Sequence, residues 1–435
     1  MRTTLITVRL HMVSAGGVTS GELNENTMKL RTDPRGNPHL PGTTVAGSLR
    51  SHFRRHDFLG GVFGDEPPSR ANGQRTEVRN ASKVQVLGTV HRQAGERRVR
   101  RRTAVDPERG AADNHALHGV EQLPPGTEFD VMLRWDDPDA NELEAFFEAL
   151  ASWKPRLGRG VSHGSGHCRV TGCGRKDYDL TTEGGLLAWI QNTDLDSYPA
   201  PVPQETSPES PHDALEHEYE IVDGVHIGAG EEPTSEGARD GAGGEGAAEP
   251  AKANKQVDIA RVLREQHGDS SRFVIPGSSL KGVLRSRAEY ICRVVGADAC
   301  VARDCGECRP CKLFGYSQRK RAFRSPVVVH DAVIRDARCE YRQHVALDRF
   351  TGGAAPGLLY TDEVIVSGRF TLHVEIPDKL DEEESNKRLL EAVAADLHDG
   401  LVGIGARTTS GQGTVRLTRP EKRPDIANLA EEIAA

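Results

Sequence analysis

Four of the eight cysteines in this 435-residue chain crowd into twelve residues: Cys300, Cys305, Cys308 and Cys311. Thiols this close in sequence can converge on one point and close a tetrahedral site around a metal ion. Inside a cell such crowding reads as metal binding rather than disulfide pairing. Three readings stay open. A structural zinc ion is favoured; an iron-sulfur cluster is its chemical rival, although in ferredoxins with a C-x4-C-x2-C run the fourth ligand lies far away; four free thiols are the third. With all four positions filled by sulfur, zinc would staple a loop and leave no open position for catalysis.

A second cluster is cationic. HRQAGERRVRRR, His91 to Arg102, holds six arginines in twelve residues. Arginines at this density repel one another unless a polyanion neutralises them, so Arg100, Arg101 and Arg102 read as phosphate ligands. A solvated basic loop is the plainer alternative. The net charge of -8 does not exclude nucleic acid, because thirteen acids against one base fall between Gln204 and Pro250 and leave the remainder net positive. That acidity reads as belonging to a linker and a loop. No apolar run approaches the roughly 20 residues of a membrane helix, and MRTTLITVRLHM lacks the apolar core of a signal peptide. A soluble cytoplasmic protein with no membrane partner is expected.

The elements that must position these groups occur twice. PGTTVAGSLRS (Pro41 to Ser51) returns as PGSSLKGVLRS (Pro276 to Ser286). Phe63-Gly64 returns as Phe314-Gly315, and Val105-Asp106 as Leu347-Asp348. The glycine-rich LGRGVSHGSGHCRV (157–170) returns as VGIGARTTSGQGTVRL (402–417). Four landmarks recurring in one order at similar spacing mean two homologous domains. These are read as 1–199 and 217–435, with a linker at 200–216 and a disordered, glycine-rich acidic insertion at about 229–255. The cysteine group at 300–311 has no counterpart in the first copy.

Strands are expected at Thr4–Met12, Val84–Val90 and Glu128–Trp135 in the first copy, and at Ser325–Ile334 and Ser367–Ile376 in the second; helices at Asn141–Trp153 and Ser385–Leu397 follow. The repeated phrase opens a helix in each, with Val45, Leu49 and Phe53 on one face and Thr43-Thr44 or Ser278-Ser279 capping its amides. Gly42 and Gly277 would let a phosphate approach, with Arg50 in the first copy and Lys281 and Arg285 in the second behind them. Strand, helix, strand, strand, helix, strand is an RRM-like or ferredoxin-like order. The fold class is therefore α+β, two tandem domains of this kind, the second carrying the metal-binding insertion.

With those landmarks placed, the chain resembles the RAMP superfamily of CRISPR-associated proteins, in particular the backbone subunits of type III RNA-guided effector complexes. The residues carrying the resemblance are GVHIGAG (224–230), IPGSSLKGVLRS (275–286), KLFG (312–315), LDRFTGGA (347–354) and GIGARTTSGQG (403–413), with LPGTTVAGSLR and VFG in the first half. The resemblance implies an RRM-like palm on the guide strand and a hairpin thumb, formed by LDRFTGGA with Arg349 and Phe350, that parts a base step of the guide-target duplex. AVDPERGAA (104–112) is its looser counterpart; a core position is the alternative for Phe350. The glycine loops, with Arg159 and Arg407, would approach RNA backbone. The implied partners are CRISPR RNA, complementary target RNA and other subunits of a type III complex, and two fused modules are similar to type III-D-like systems.

The resemblance also implies chemistry. Family members cut target RNA with an aspartate in the loop ahead of the repeated helix, which places Asp258 in that role and makes Asp269 a poorer candidate. A divalent cation, magnesium, would assist attack of a 2'-hydroxyl on the neighbouring phosphate. In the first copy the same position falls on Thr27 by counting, with Glu25 out of register, so that copy is expected to bind without cutting. Other readings are a non-catalytic guide-binding scaffold, a RAMP-type endoribonuclease that processes precursor RNA through a histidine near the chain start such as His11, and an unrelated zinc-containing RNA-binding module.

Overall fold

The computed structural model describes residues 1–54, 61–64, 80–93, 95–105, 113, 116–192, 198–204, 213–229, 259–267, 270–300, 305–318, 320–376 and 384–426. The chain divides into two compact units, residues 1–100, 117–212 and 266–270 in one and residues 101–116, 213–265 and 271–435 in the other. No helix among the described residues is long and apolar enough to cross a membrane.

The first half runs β1 (Arg2–Met12), β2 (Thr19–Asn24), β3 (Thr27–Leu30), α1 (Gly42–Phe53), β4 (Val84–Gln93), β5 (Arg98–Arg102), β6 (His118–Gln122), β7 (Glu128–Asp136), α2 (Ala140–Ala151), β8 (Cys168–Asp179), α3 (Glu183–Ile190) and β9 (Val202–Pro203). Its main sheet has the order β4-β7-β1-β8-β9, every neighbour antiparallel. Alternation along β1 sends Ile6, Val8 and Leu10 into the core. There they meet Val45, Leu49 and Phe53 of α1 and Leu143, Phe146 and Leu150 of α2. Phe53 and Phe146 lock the two helices together, their rings stacked 4.9 Å apart. The opposite face is partly covered, for Trp189 of α3 sets its ring edge-on to Tyr178 at 5.3 Å. Val202 and Pro203, in the stretch expected to be linker, instead pair with β8 as an edge strand.

The second half runs β10 (Asp213–Asp223), β11 (Ile259–Ala260), β12 (Arg264–His267), β13 (Ser270–Ile275), α4 (Gly277–Val294), α5 (Arg309–Phe314), β14 (Tyr316–Ser317), β15 (Ala322–Phe323), β16 (Val328–Val329), β17 (Ala332–Val333), β18 (Arg335–Leu347), β19 (Ala354–Ile376), α6 (Glu384–His398) and β20 (Thr414–Leu417). Here β16, β19, β10 and β20 lie side by side, the order that β4, β7, β1 and β8 take in the first half. Tyr219 of β10 fixes the core: its ring stacks on Phe370 at 5.7 Å and its hydroxyl donates to the Ala394 carbonyl of α6 at 2.8 Å. The single strand expected over Ser325–Ile334 is two, because the chain changes partner at His330-Asp331, whose side chains hold Glu375 and the Gly277 amide. The strand expected at Ser367–Ile376 is the end of a 23-residue strand that forms a long hairpin with β18.

The repeated residues do the same structural work in each half. Arg50 donates to the Phe63 carbonyl at 2.7 Å, and Arg285 to the Gly315 carbonyl at 3.0 Å. Ser82 donates to the carbonyls of Val84 and Val62, and Ser325 to those of Val327 and Leu313. Gly64 and Gly315 have φ of 68° and 80°, and a Cβ on either would lie 2.6 Å from backbone of the crossing segment. Only glycine serves there. Pro41 and Pro276 lead into the helices with the same extended backbone, and neither helix has a side-chain cap at that residue. The hydroxyls expected to cap do not; the Gly277 amide is taken by Asp331 Oδ1 at 2.6 Å. Nor is the acidity confined to linker and loop. Glu216, Glu218, Glu220 and Asp223 belong to β10, and Glu216 pairs with His373 and Glu218 with Arg335.

Candidate nucleic-acid interface

The β18–β19 hairpin ends in a turn built by Asp348, whose Oδ1 accepts the amides of Phe350 at 2.9 Å and Thr351 at 2.8 Å. Those amides hold the Asp348 carboxyl below its usual range. Phe350 stands 90% exposed on this turn, so it is no core residue, and Arg349 beside it is exposed. Val345, Leu347 and Leu359 are exposed along the shaft. A rigid turn presenting one aromatic ring above an apolar stripe is suited to entering a base step.

Below that turn, where β11 pairs with β19, lies a cluster of which the sequence reading names only Arg407. Asp362 is fully buried and takes Arg407 on both oxygens, Nε to Oδ2 at 2.7 Å and a terminal nitrogen to Oδ1 at 2.9 Å. His344 Nε2 lies 3.1 Å from the same Oδ2, and its ring stacks on Tyr360 with centroids 5.0 Å apart. Arg407 also donates to the Tyr360 hydroxyl at 2.9 Å and lies over that ring. Its φ of 61° is left-handed, a conformation costly for any residue with a Cβ. The first half has Gly160 at the matching place, four residues ahead of Gly164 as Arg407 is of Gly411. Both loops go on through a short 3-10 turn, Val161–His163 or Thr408–Ser410, to a left-handed glycine.

Short parallel strands fix the register ahead of the repeated helix. Thr27 and Met28 pair with Gly119 and Val120, as Ile259 and Ala260 pair with Thr361 and Asp362. Glu121 accepts the Leu30 amide and Glu363 the Val262 amide, each at 2.9 Å. Lys29 and Arg264 complete the two acid sites, and both carboxyls are held below their usual range: burial acts against the shift and these donors outweigh it. Leu30 therefore matches Val262 and Thr27 matches Ile259. The residue standing for Asp258 is Asn26, which corrects the count that reached Thr27. Asp258 and Asp269 themselves lie outside the described residues, as do residues 230–258, which take in nearly all of the insertion expected at about 229–255.

The remaining candidates scatter. Thr43 is exposed, Thr44, Ser278 and Ser279 are half-buried, and a Cβ on Gly42 would lie 3.4 Å from Val86. Lys281 is buried, and burial with Arg285 and Arg324 nearby pulls its ammonium down to about 7. Arg285 is engaged with Glu289, the Gly315 carbonyl and the Cys311 sulfur. Arg100 to Arg102 lie on β5 and not in a loop; Arg100 is buried, Arg101 exposed and Arg102 half-buried. Arg159 is exposed, and His11 lies 3.4 Å from Glu128.

The four cysteine sulfurs lie within 4.8 Å of one another. Cys300 is 3.3 Å from Cys311 and 3.5 Å from Cys308, and Cys305 is 4.0 Å from Cys311. Tetrahedral bonds of about 2.3 Å put sulfurs about 3.8 Å apart, so this set suits one ion. The amides of Glu307 and Cys308 point at the Cys305 sulfur at 3.5 and 3.3 Å. Burial pushes the Cys300 thiol up to about 11; at Cys305 burial acts in the same direction, but the two amides and neighbouring thiols outweigh it and hold that thiol down to about 6.

A model of the RAMP superfamily matches residues 14–169 and again residues 218–416. This chain belongs to the RAMP superfamily. Its two RAMP regions are the two copies whose helix, Phe-Gly and glycine-loop landmarks correspond above. Over 217 residues, 46% of this chain and 77% of the relative, it is 28% identical to a protein of Methanocaldococcus jannaschii called CRISPR system Cms endoribonuclease Csm3. Within the RAMP pair the His344–Asp362 cluster belongs to the second region alone. By the matched landmarks, Arg102, His118, Val120 and Gly160 stand where the second region has His344, Tyr360, Asp362 and Arg407. Reading the two copies against each other residue by residue is the signal that would have found it.

Proposed function

We propose that this chain is a double backbone subunit of a type III CRISPR effector complex, with guide RNA bound along both halves and target RNA cut by the second. The observation that carries this reading is asymmetry within a duplicated frame. Both halves keep the helix phrase, the Phe-Gly staple and the glycine loop, while an aspartate, Asp258, stands in the second where the first has Asn26. The shared strand order supports a ferredoxin-like core in each. In both halves the open sheet face is a poor platform for RNA. In the first, α3 covers part and Arg9 and Arg92 are committed to Asp130, whose burial raises its carboxyl less than the two guanidinium groups lower it. In the second, β10 offers Glu216, Glu218 and Glu220. RNA is therefore placed along the hairpins and glycine loops, with Phe350 as wedge and Arg101 and Arg159 on phosphates.

Asp258 would hold a divalent cation against the scissile phosphate, neutralising charge there. The cysteine set would hold one structural zinc. Its sulfur spacing favours a single ion over an iron-sulfur cluster, whose several irons hold the thiolates farther apart.

The test loads the full chain with guide RNA and offers an end-labelled complementary RNA with and without magnesium. One magnesium-dependent cut lost in Asp258→Ala at unchanged guide binding is the expected result. A ladder identical in both proteins would leave a guide-binding scaffold without catalysis.

A further inference from the structure

We propose that Arg285 is a positioning residue of the cysteine centre, its guanidinium hydrogen-bonded to the Cys311 sulfur and aimed there by Glu289. This rests on the single-ion reading of the cysteine set above and names a group outside the four thiols on which metal binding depends. Each sulfur of the set is met by a donor. The Cys305 amide lies 3.3 Å from the Cys300 sulfur, the amides of Glu307 and Cys308 lie 3.5 and 3.3 Å from that of Cys305, and the Cys311 amide serves Cys308. These donors are backbone of the turns that carry the ligands. Cys311 is met instead by a side chain from another element, Arg285 Nη2 of α4 at 3.5 Å.

The guanidinium is held on three sides. Its Nε donates to Glu289 Oε1 at 2.9 Å, its Nη1 to the Gly315 carbonyl at 3.0 Å, and its Nη2 to Cys311. Glu289 is buried one turn along the same helix. A planar fork engaged with three acceptors cannot turn away from one without disturbing the others, and a lysine cannot hold all three. Four thiolates on a divalent cation carry two net negative charges, here with Cys300, Cys308 and Cys311 buried. A guanidinium against Cys311 offsets one of those charges and draws electron density off that sulfur.

The duplication shows what the staple requires without a metal. Arg50 holds the Phe63 carbonyl at 2.7 Å, as Arg285 holds that of Gly315. The helix phrase aligns without a gap, and it puts Arg54 in the first half where the second has Glu289; the first cysteine of the chain is Cys168. The staple therefore needs the arginine alone, while the orienting acid and the sulfur contact accompany the cysteine set. In the second half α4, the Phe314-Gly315 crossing and the cysteine loop share one guanidinium.

The experiment uses the full chain, stripped of metal and reloaded with zinc or cobalt alone. Arg285→Met is expected to weaken zinc binding by about 10–100-fold, measured by competition with a chromophoric chelator. In the cobalt form its sulfur-to-metal charge-transfer band is expected to move to lower energy, because a sulfur freed of a hydrogen bond gives up its electron more readily. An arginine that only staples the fold would not move that band. Arg50→Met removes the matching staple and is the control: it should destabilise the first half and leave both metal readouts as in wild type. Arg285→Lys keeps the charge and one donor; it is expected to shift the band in the same direction, and it decides the case if Arg285→Met does not fold. Wild-type zinc affinity together with a wild-type band in the folded Arg285 variant overturns the assignment of Arg285 while the single-ion reading stands. A wild-type chain that takes up neither metal overturns both.

Discussion

Arg407 grips both oxygens of the buried Asp362 carboxylate from a backbone that no residue with a Cβ adopts without cost. Two opposing terms meet in that pair. Arg407→Gly should relieve about 1 kcal/mol of backbone strain and strand a buried carboxylate, which costs about 3–5 kcal/mol. A net loss of about 2–4 kcal/mol is expected from urea unfolding. Combining it with Asp362→Ala should recover part of that loss, since the orphaned charge is gone. Purely additive losses would show that the pair is not coupled.

Chain purified without added metal is expected to release one zinc per molecule to a chromophoric chelator after thiol modification. Cys305→Ser with Cys308→Ser should abolish that zinc and lower the melting temperature of the second half by roughly 5–10 °C, leaving the first half's transition in place. Iron with visible absorbance, or no metal, would mean a different occupant.

Lys281 supplies a pH signature. Its folded pKa, about 7, lies below the ordinary lysine value, so the unfolded chain binds the extra proton between about 7 and 10.5. Its penalty on stability is full below pH 7 and disappears as pH rises through that window. Lys281→Met should therefore stabilise the protein most at pH 6 to 7, with the gain shrinking toward pH 10, read from denaturation midpoints across pH. A phosphate approaching Lys281 would raise its pKa, so RNA binding at pH 8 to 9 should take up about one proton, measured by calorimetry in buffers of different ionisation enthalpy. Binding without proton uptake would remove Lys281 from the RNA path.

The arginine strand should split by exposure. Arg98→Ala with Arg101→Ala, both exposed, is expected to weaken single-stranded RNA binding and flatten the salt slope by about one to two phosphate contacts. Arg100→Ala, at a buried position, should cost stability and leave the slope nearly unchanged. Equal effects from both would mean that exposure does not decide which of these arginines meet RNA.

Asn26→Asp tests whether an aspartate alone makes a cutting site. The first half has Val120, Arg102 and Gly160 where the second has Asp362, His344 and Arg407. No new cut is expected in the target ladder. A second magnesium-dependent cut would show that the aspartate suffices without those three residues.

Much of this molecule is written in local chemistry. The paired landmarks, the helix after Pro41 and Pro276 and the cysteine run are contiguous, and hydrophobic alternation in Thr4–Met12 needs only the two-residue period of a strand to be read. The positive φ of Gly64 and Gly315 is local backbone geometry and legible in the same way, whereas the segments that leave no room for a Cβ there, at Asn80 and Ser325, are brought in by the fold. The meeting of distant side chains is not local. Arg50 and Arg285 look like phosphate ligands until the fold brings the Phe63 and Gly315 carbonyls onto them. Glu216, Glu218 and Glu220 count toward the acidity of a linker and a loop until β10 lines them along a sheet face. Counting residues through a loop placed Thr27 opposite Asp258, because insertions change a count; the amides held by Glu121 and Glu363 set the register at Asn26, because a hydrogen bond cannot slip by one residue without reversing which side chains face inward. Asp362, Arg407 and His344 come from three separate stretches of the second half. Only closure of the β18–β19 hairpin against the glycine loop brings His344 to 3.1 Å and Arg407 to 2.7 Å from the Asp362 carboxylate, where burial strengthens the ion pair of Arg407 with Asp362.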